Sequence, residues 1–109
     1  VRQRGANATM PTQRRNERIA MTCEVDFKRH GDARYKVELF DLSASGCCLS
    51  PPVRLEAGDV VSLRFPGLAA VHGAVAWAQG WRAGIVFDRP FHPAVLADVA
   101  DRLRQRPAA

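Results

Sequence analysis

"IAMTCEVDFKRHGDARYKVELF", residues 19–40, carries two alternating stretches around one polar turn. Ile19, Met21, Cys23, Val25 and Phe27 alternate with Ala20, Thr22, Glu24, Asp26 and Lys28. Successive side chains of an extended chain point to opposite faces, so this period of two predicts a strand with one buried face. "RHGDA" (29–33) supplies the glycine and aspartate of a turn. Tyr35, Val37 and Leu39 then alternate with Lys36 and Glu38, the pattern of a returning hairpin strand. The two strands match closely in length, so residue 41 is expected to come back near residues 18–21.

The same grammar continues downstream. "CCLS" (47–50) reads as a short strand closed by Pro51 and Pro52, and "EAGD" (56–59) as a turn. Val61, Leu63 and Phe65 share one phase of the next strand, which Pro66-Gly67 ends. Val71, Gly73, Val75 and Trp77 share one face of another, so Trp77 is expected to point inward. Gln79-Gly80 reads as a tight connection, and Trp81, Ala83, Ile85 and Phe87 as the inward phase of the returning strand. Pro93 fits a helix's first turn, after which Val95, Leu96, Val99 and Leu103 fall on one helical face. Arg102, Arg104 and Arg106 sit at the C-terminal end, where the helix dipole favours cations.

Six short strands, each with one apolar face, best satisfy their edges by curling into a closed sheet. The expected fold class is therefore mainly all-β: a six-stranded antiparallel β-barrel with a C-terminal α-helix at about residues 93–105. A split sandwich is the alternative. Residues 1–13 lack periodicity and read as a flexible basic arm, leaving residues 14–109 as one barrel domain.

Charge is concentrated at one end. Residues 1–18 hold five arginines against Glu17 alone, whereas residues 19–92 hold eight basic and eight acidic side chains. A positive arm on a neutral body suits an anionic partner. Other classes are excluded or disfavoured. No apolar run approaches the roughly 20 residues of a membrane span, and the polar N-terminus does not read as a secretory signal. Three cysteines without a C-x-x-C, two of them adjacent (Cys47 and Cys48), suit a reducing, cytoplasmic setting and give no thiolate metal site. His30, His72 and His92 are scattered, and neither a nucleophile elbow nor a phosphate loop is present. The expectation is a non-enzyme without metal.

Two further stretches carry the chemistry. "QRRNER" (13–18) places Arg14, Arg15 and Arg18 immediately before the first strand, and "DLSASG" (41–46) places Asp41, Ser43, Ser45 and Gly46 after the second. Either stretch alone reads as an arginine-rich tail or an ordinary turn. The hairpin, however, should bring both to one end of the barrel.

These residues resemble the PilZ domain family of bacterial cyclic di-GMP receptors. The resemblance rests on Arg14-x-x-x-Arg18 paired with Asp41-x-Ser43-x-x-Gly46, supported by the strand pattern, "GWRAGIVF" (80–87) and the closing helix. It spans about residues 13–105. It implies a six-stranded barrel that binds cyclic di-GMP and is not an enzyme. Arg14 and Arg18 would be the main guanine and phosphate contacts, with Arg15 adjacent to them. Asp41, Ser43 and Gly46 would complete the site. Gln13, Ser45 and Trp77 are secondary candidates.

The chemistry agrees. An arginine fork meets guanine O6 and N7 bidentately, stacks on a purine face and pairs with phosphate. Asp41 can accept from guanine N1–H and N2–H, Ser43 can donate to phosphate or orient Asp41, and Gly46 lets backbone approach the ligand. An arm that closes over the anion would be an order–disorder switch. No output domain fits within 109 residues, so the signal is expected to pass to a downstream protein unless the domain is part of a larger chain. Two alternatives are a PilZ-like adaptor that no longer binds nucleotide and a basic nucleic-acid-binding barrel. The latter needs exposed aromatics, and the expected buried phases of Tyr35, Trp77 and Trp81 count against it.

Overall fold

The computed structural model describes residues 18–51 and 53–105. Six strands follow in order: β1 (Ile19–Arg29), β2 (Arg34–Leu42), β3 (Gly46–Ser50), β4 (Val60–Arg64), β5 (Val71–Gln79) and β6 (Arg82–Phe87). One helix, α1 (Pro93–Gln105), ends the described chain. The strands pair antiparallel and close into a barrel in the order β1-β2-β3-β6-β5-β4. Closure leaves no long sheet edge unpaired, which is why so small a sheet is stable without staples.

The inward phase of each strand fills the barrel. Val25 and Phe27 of β1 meet Val37 and Leu39 of β2, Leu49 of β3, Val61 and Leu63 of β4, Val75 of β5, and Ala83 and Ile85 of β6. Leu96, Val99 and Leu103 of α1 join the same core. Phe65, Phe87 and Phe91 form an edge-packed aromatic cluster, with ring centroids 5.0–6.0 Å apart. Helix α1 starts where His92 Nδ1 accepts from Ala94 N–H at 3.0 Å, a side-chain cap on an otherwise orphaned donor. His92 thus has a structural task beside its proline. At the helix's far end Arg102 pairs with Asp98 at 2.9 Å and rests over Gly67, whose φ of +80° suits glycine.

Three bulges interrupt the strand pairing. They lie between Ala20 and Cys23 in β1, between Leu39 and Asp41 in β2, and between Val75 and Trp77 in β5. The facing phase reverses beyond the irregularity in β2 and in β5, whereas β1 keeps its alternation throughout. The bulge in β5 corrects the expectation for Trp77: Val75 remains inward, but Trp77 emerges on the outer face, 45% exposed. Trp81 is also corrected. The β5–β6 connection is Gly80-Trp81 rather than Gln79-Gly80, because Gln79 pairs with Arg82. Gly80 takes a φ of +59° and Trp81 stands at the hairpin tip, 85% exposed. Tyr35, next to the opposite hairpin turn, pairs with core residue Phe27 but projects past the barrel end and is half-exposed. The argument from buried aromatics therefore fails for all three residues.

Candidate functional site

The hairpin returns the chain as its lengths require: Ile19 faces Leu42 and Ala20 faces Asp41. Arg18, the residue before β1, then lies against the end of β2. Its Nη1 donates to Asp41 Oδ1 at 2.8 Å. The arginine side chain is 62% exposed and the carboxylate 25% exposed, so the pair lies on the surface and is open to a ligand. Arg14, Arg15 and Gln13 lie outside the described residues.

The turn after Asp41 is tightly built. Ser43 N–H donates to the Gly46 carbonyl at 2.8 Å. Ser43 Oγ also accepts from Gly46 N–H and donates to the Gly46 carbonyl, each at 3.2 Å. Ser45 Oγ lies 3.4 Å from Ser43 Oγ. The Ala44 and Ser45 carbonyls accept from Phe91 N–H at 2.7 Å and Phe87 N–H at 2.9 Å, which ties the turn to the end of β6. Ser43 is consequently buried, at 2% exposure, with its hydroxyl spent on the turn. Ser43 thus shapes the corner that carries Asp41. A Cβ at Gly46 would collide with the Ile85 carbonyl of β6, so the pairing of β3 with β6 requires glycine there.

The barrel register extends the site beyond this corner. Ala20 faces Asp41, Asp41 faces Cys48, Cys48 faces Gly84, and Gly84 faces Trp77. Directly paired residues point to the same side of a sheet, so these five form one row across the outside of β1, β2, β3, β6 and β5. At about 4.8 Å per strand, Asp41 and Gly84 are roughly 10 Å apart. Alanine, cysteine and glycine keep the row low between Asp41 and Trp77. The indole of Trp77 folds back over Gly84, in the space that any side chain there would occupy.

Two guanidinium groups act on this row. Burial pushes the Cys48 thiol up, the Asp41 carboxylate adds to the effect, and Arg82 and Arg18 oppose it. The thiol is therefore protonated and inert at neutral pH, a floor and not a nucleophile. Arg82 itself lies over the Phe40 ring, with the guanidinium carbon 4.2 Å from the centroid. Neither Arg82 nor Phe40 is singled out by the sequence reading. Alternation from Leu39 already puts Phe40 on the outer face, and the bulge turns Asp41 outward beside it.

A cleft of about 850 Å³ lies between Pro51, Val53–Ala57 and the β5–β6 tip. It shares Trp77 with the row and takes in Arg82, but does not reach Arg18, Asp41 or Ser43. Among the described residues, no three His, Cys, Asp or Glu side chains converge as a metal site. No helix among them is long and apolar enough to cross a membrane.

Comparison with known proteins agrees with the barrel. Among curated proteins none matches. Among solved structures, the chain is similar to the PilZ domain of CeSA from a cellulose-synthesizing bacterium. That match has 19% sequence identity and a TM-score of 0.56, over 81% of this chain and 95% of the other. At that identity the likeness speaks for the fold. The family model for the PilZ domain matches residues 12–102, which takes in both the arginine stretch and the Asp-Ser-Gly turn. The chain belongs to the PilZ domain family.

Proposed function

We propose that this protein is a cyclic di-GMP receptor, a binding domain and not a catalyst, that passes its signal to a partner protein. The observation that carries the reading is the Arg18–Asp41 pair at 2.8 Å on an exposed face. A donor fork beside a carboxylate complements guanine, which sets acceptor O6 beside donors N1–H and N2–H. Arg18 takes the acceptor edge, Asp41 takes the donors, and Trp77 offers an aromatic surface for a base further along the row. Arg14 and Arg15, four and three residues before Arg18, would add further forks for guanine and phosphate, with Gln13 beside them. On this reading the arm orders over the dinucleotide, and the covered face is what a downstream protein recognises.

The test is calorimetric titration of the full chain with cyclic di-GMP, with GTP and cyclic di-AMP as controls. Selective, saturable binding of cyclic di-GMP is expected. Absence of binding, or equal binding of cyclic di-AMP, would remove the reading, because adenine lacks the O6 and N1–H pattern that the pair recognises.

A second reading is kept by one observation. Trp77 and Trp81 are exposed, and stacking aromatics in a chain with an arginine-rich N-terminal sequence also suit single-stranded nucleic acid. Adding a short RNA to the titration at physiological salt separates the two: RNA binding without cyclic di-GMP binding selects the nucleic-acid barrel.

A further inference from the structure

On the reading of this face as the cyclic di-GMP site, we infer that Arg82, held flat by Phe40, is a second anion-binding group that takes a phosphate of the ligand. Phe40 follows inward Leu39 on the outer face of β2, and the bulge between Leu39 and Asp41 keeps Asp41 on that face beside it. The Arg82 guanidinium lies over that ring at 4.2 Å. One face of the guanidinium is thus fixed by the ring, and its N–H edge remains for another partner. Among the described residues no carboxylate lies within ion-pair distance of it. Every other described arginine except Arg34, Arg54, Arg64, Arg89 and Arg104 has such a partner. Unlike those five, Arg82 adjoins the row: it follows the two-residue turn and sits two residues before Gly84 on β6.

The position suits a phosphate. A guanine held at Asp41 directs its sugar–phosphate ring along the low part of the row, over Cys48 and Gly84. Arg18 is held against Asp41 of β2, and Arg82 reaches from β6 to the neighbouring Phe40 of β2, so both guanidinium groups converge at the Asp41 end of the row. An anion beside Asp41 and Cys48 therefore meets two positive charges. The ring beneath Arg82 also limits its rotamers before the ligand arrives, which lowers the ordering cost of the contact. Phe40 acts through Arg82 and is a positioning residue.

Titration of the full chain with cyclic di-GMP tests this, comparing wild type with Arg82→Ala, Arg82→Lys, Phe40→Leu and the Arg82→Ala/Phe40→Leu double variant. Arg82→Ala is expected to weaken binding about tenfold, and Arg82→Lys less, since an ammonium still pairs with phosphate. Raising salt should weaken wild type more than Arg82→Ala. Phe40→Leu should weaken binding severalfold alone but add nothing in the double variant, because its effect runs through Arg82. Wild-type binding with Arg82→Ala equal to it overturns the inference and leaves the receptor reading standing. A lysine variant as weak as alanine overturns the phosphate role, and additive losses in the double variant overturn the positioning role of Phe40. Failure of wild type to bind overturns both readings together.

Discussion

The indole of Trp77 occupies the space where a side chain on Gly84 would stand. A Cβ at Gly84 would collide with the indole Nε1 and lie 2.6 Å from Cε2. The two residues are cross-strand partners, brought together by the bulge that turned Trp77 outward. A glycine without a side chain on the outer face of a strand weakens it, and an aromatic neighbour that covers the gap restores packing. The same contact fixes where the aromatic surface lies relative to Asp41, two strands away.

Gly84→Ala should therefore displace the indole while sparing the fold. The obstacle is a half-exposed side chain that can swing, so the stability change should stay within about 0.5 kcal/mol. Binding of cyclic di-GMP should fall by about 1–3 kcal/mol if a base stacks on this indole. In a Trp81→Phe background Trp77 is the remaining tryptophan, and its emission should shift to the red in the Gly84→Ala variant. An unchanged spectrum with unchanged affinity would show that Trp77 is not held by this contact.

Gly46→Ala separates the sheet's need for glycine from the ligand's. Its Cβ would meet backbone, with the Ile85 carbonyl carbon at 3.2 Å and the Val86 Cα at 3.4 Å, besides colliding with the carbonyl oxygen itself. Backbone in a closed barrel cannot swing aside. The variant should lose about 1–3 kcal/mol of stability. For a domain of this size that lowers the melting temperature by roughly 4–8 °C per kcal/mol. A variant that melts like wild type but fails to bind would place Gly46 among the ligand contacts.

The contrast between these glycines shows what the sequence could reveal. Period-two runs such as Val25–Phe27 and Val37–Leu39 revealed the strands because one face of each is buried. The hairpin lengths revealed that Arg18 would reach Asp41. Ser43 and Gly46 were legible as members of a motif, but the close approach of Gly46 to β6 was not, because pairing between β3 and β6 is non-local. Trp77 and the outward turn of Asp41, which starts the Asp41–Cys48–Gly84 row, were hidden by bulges. One extra residue reverses a strand's facing phase, and no local composition announces it. Trp81 was misplaced by a single residue at a turn, which was enough to move it from the core to solvent.

The buried thiol of Cys47 sets an alkaline limit on stability. Burial pushes it far above its ordinary value, and Asp41 and Cys48 add to that, with Arg18 opposing. In the unfolded chain the thiol ionises near 8.5. Above that pH the unfolded state binds fewer protons than the folded state, so the free energy of unfolding falls as pH rises. The contribution is complete below about pH 8.5 and declines by about 1.4 kcal/mol per pH unit beyond it. Melting temperatures from pH 7.5 to 9.5 should fall more steeply for wild type than for Cys47→Ala. The slope is what matters, since the alanine also removes core volume. Parallel slopes would show that the thiol ionises without unfolding the barrel.

Arg18→Ala is expected to separate binding from folding most cleanly. Its partner Asp41 is on the surface, and exposed ion pairs contribute about 0–1 kcal/mol to stability. The variant should therefore melt within a few degrees of wild type. Binding is another matter, because a bidentate arginine contact to guanine discriminates by about 1–3 kcal/mol, or tenfold to more than a hundredfold in affinity. Asp41→Ala should cost a similar amount by removing the acceptor for guanine N1–H and N2–H. If the pair reads one guanine as a unit, the double variant should lose less than the sum of the two single losses. Calorimetry on the four proteins, alongside their thermal melts, gives both quantities. Affinities equal to wild type in all three variants would detach the pair from the ligand and leave it an ordinary surface ion pair.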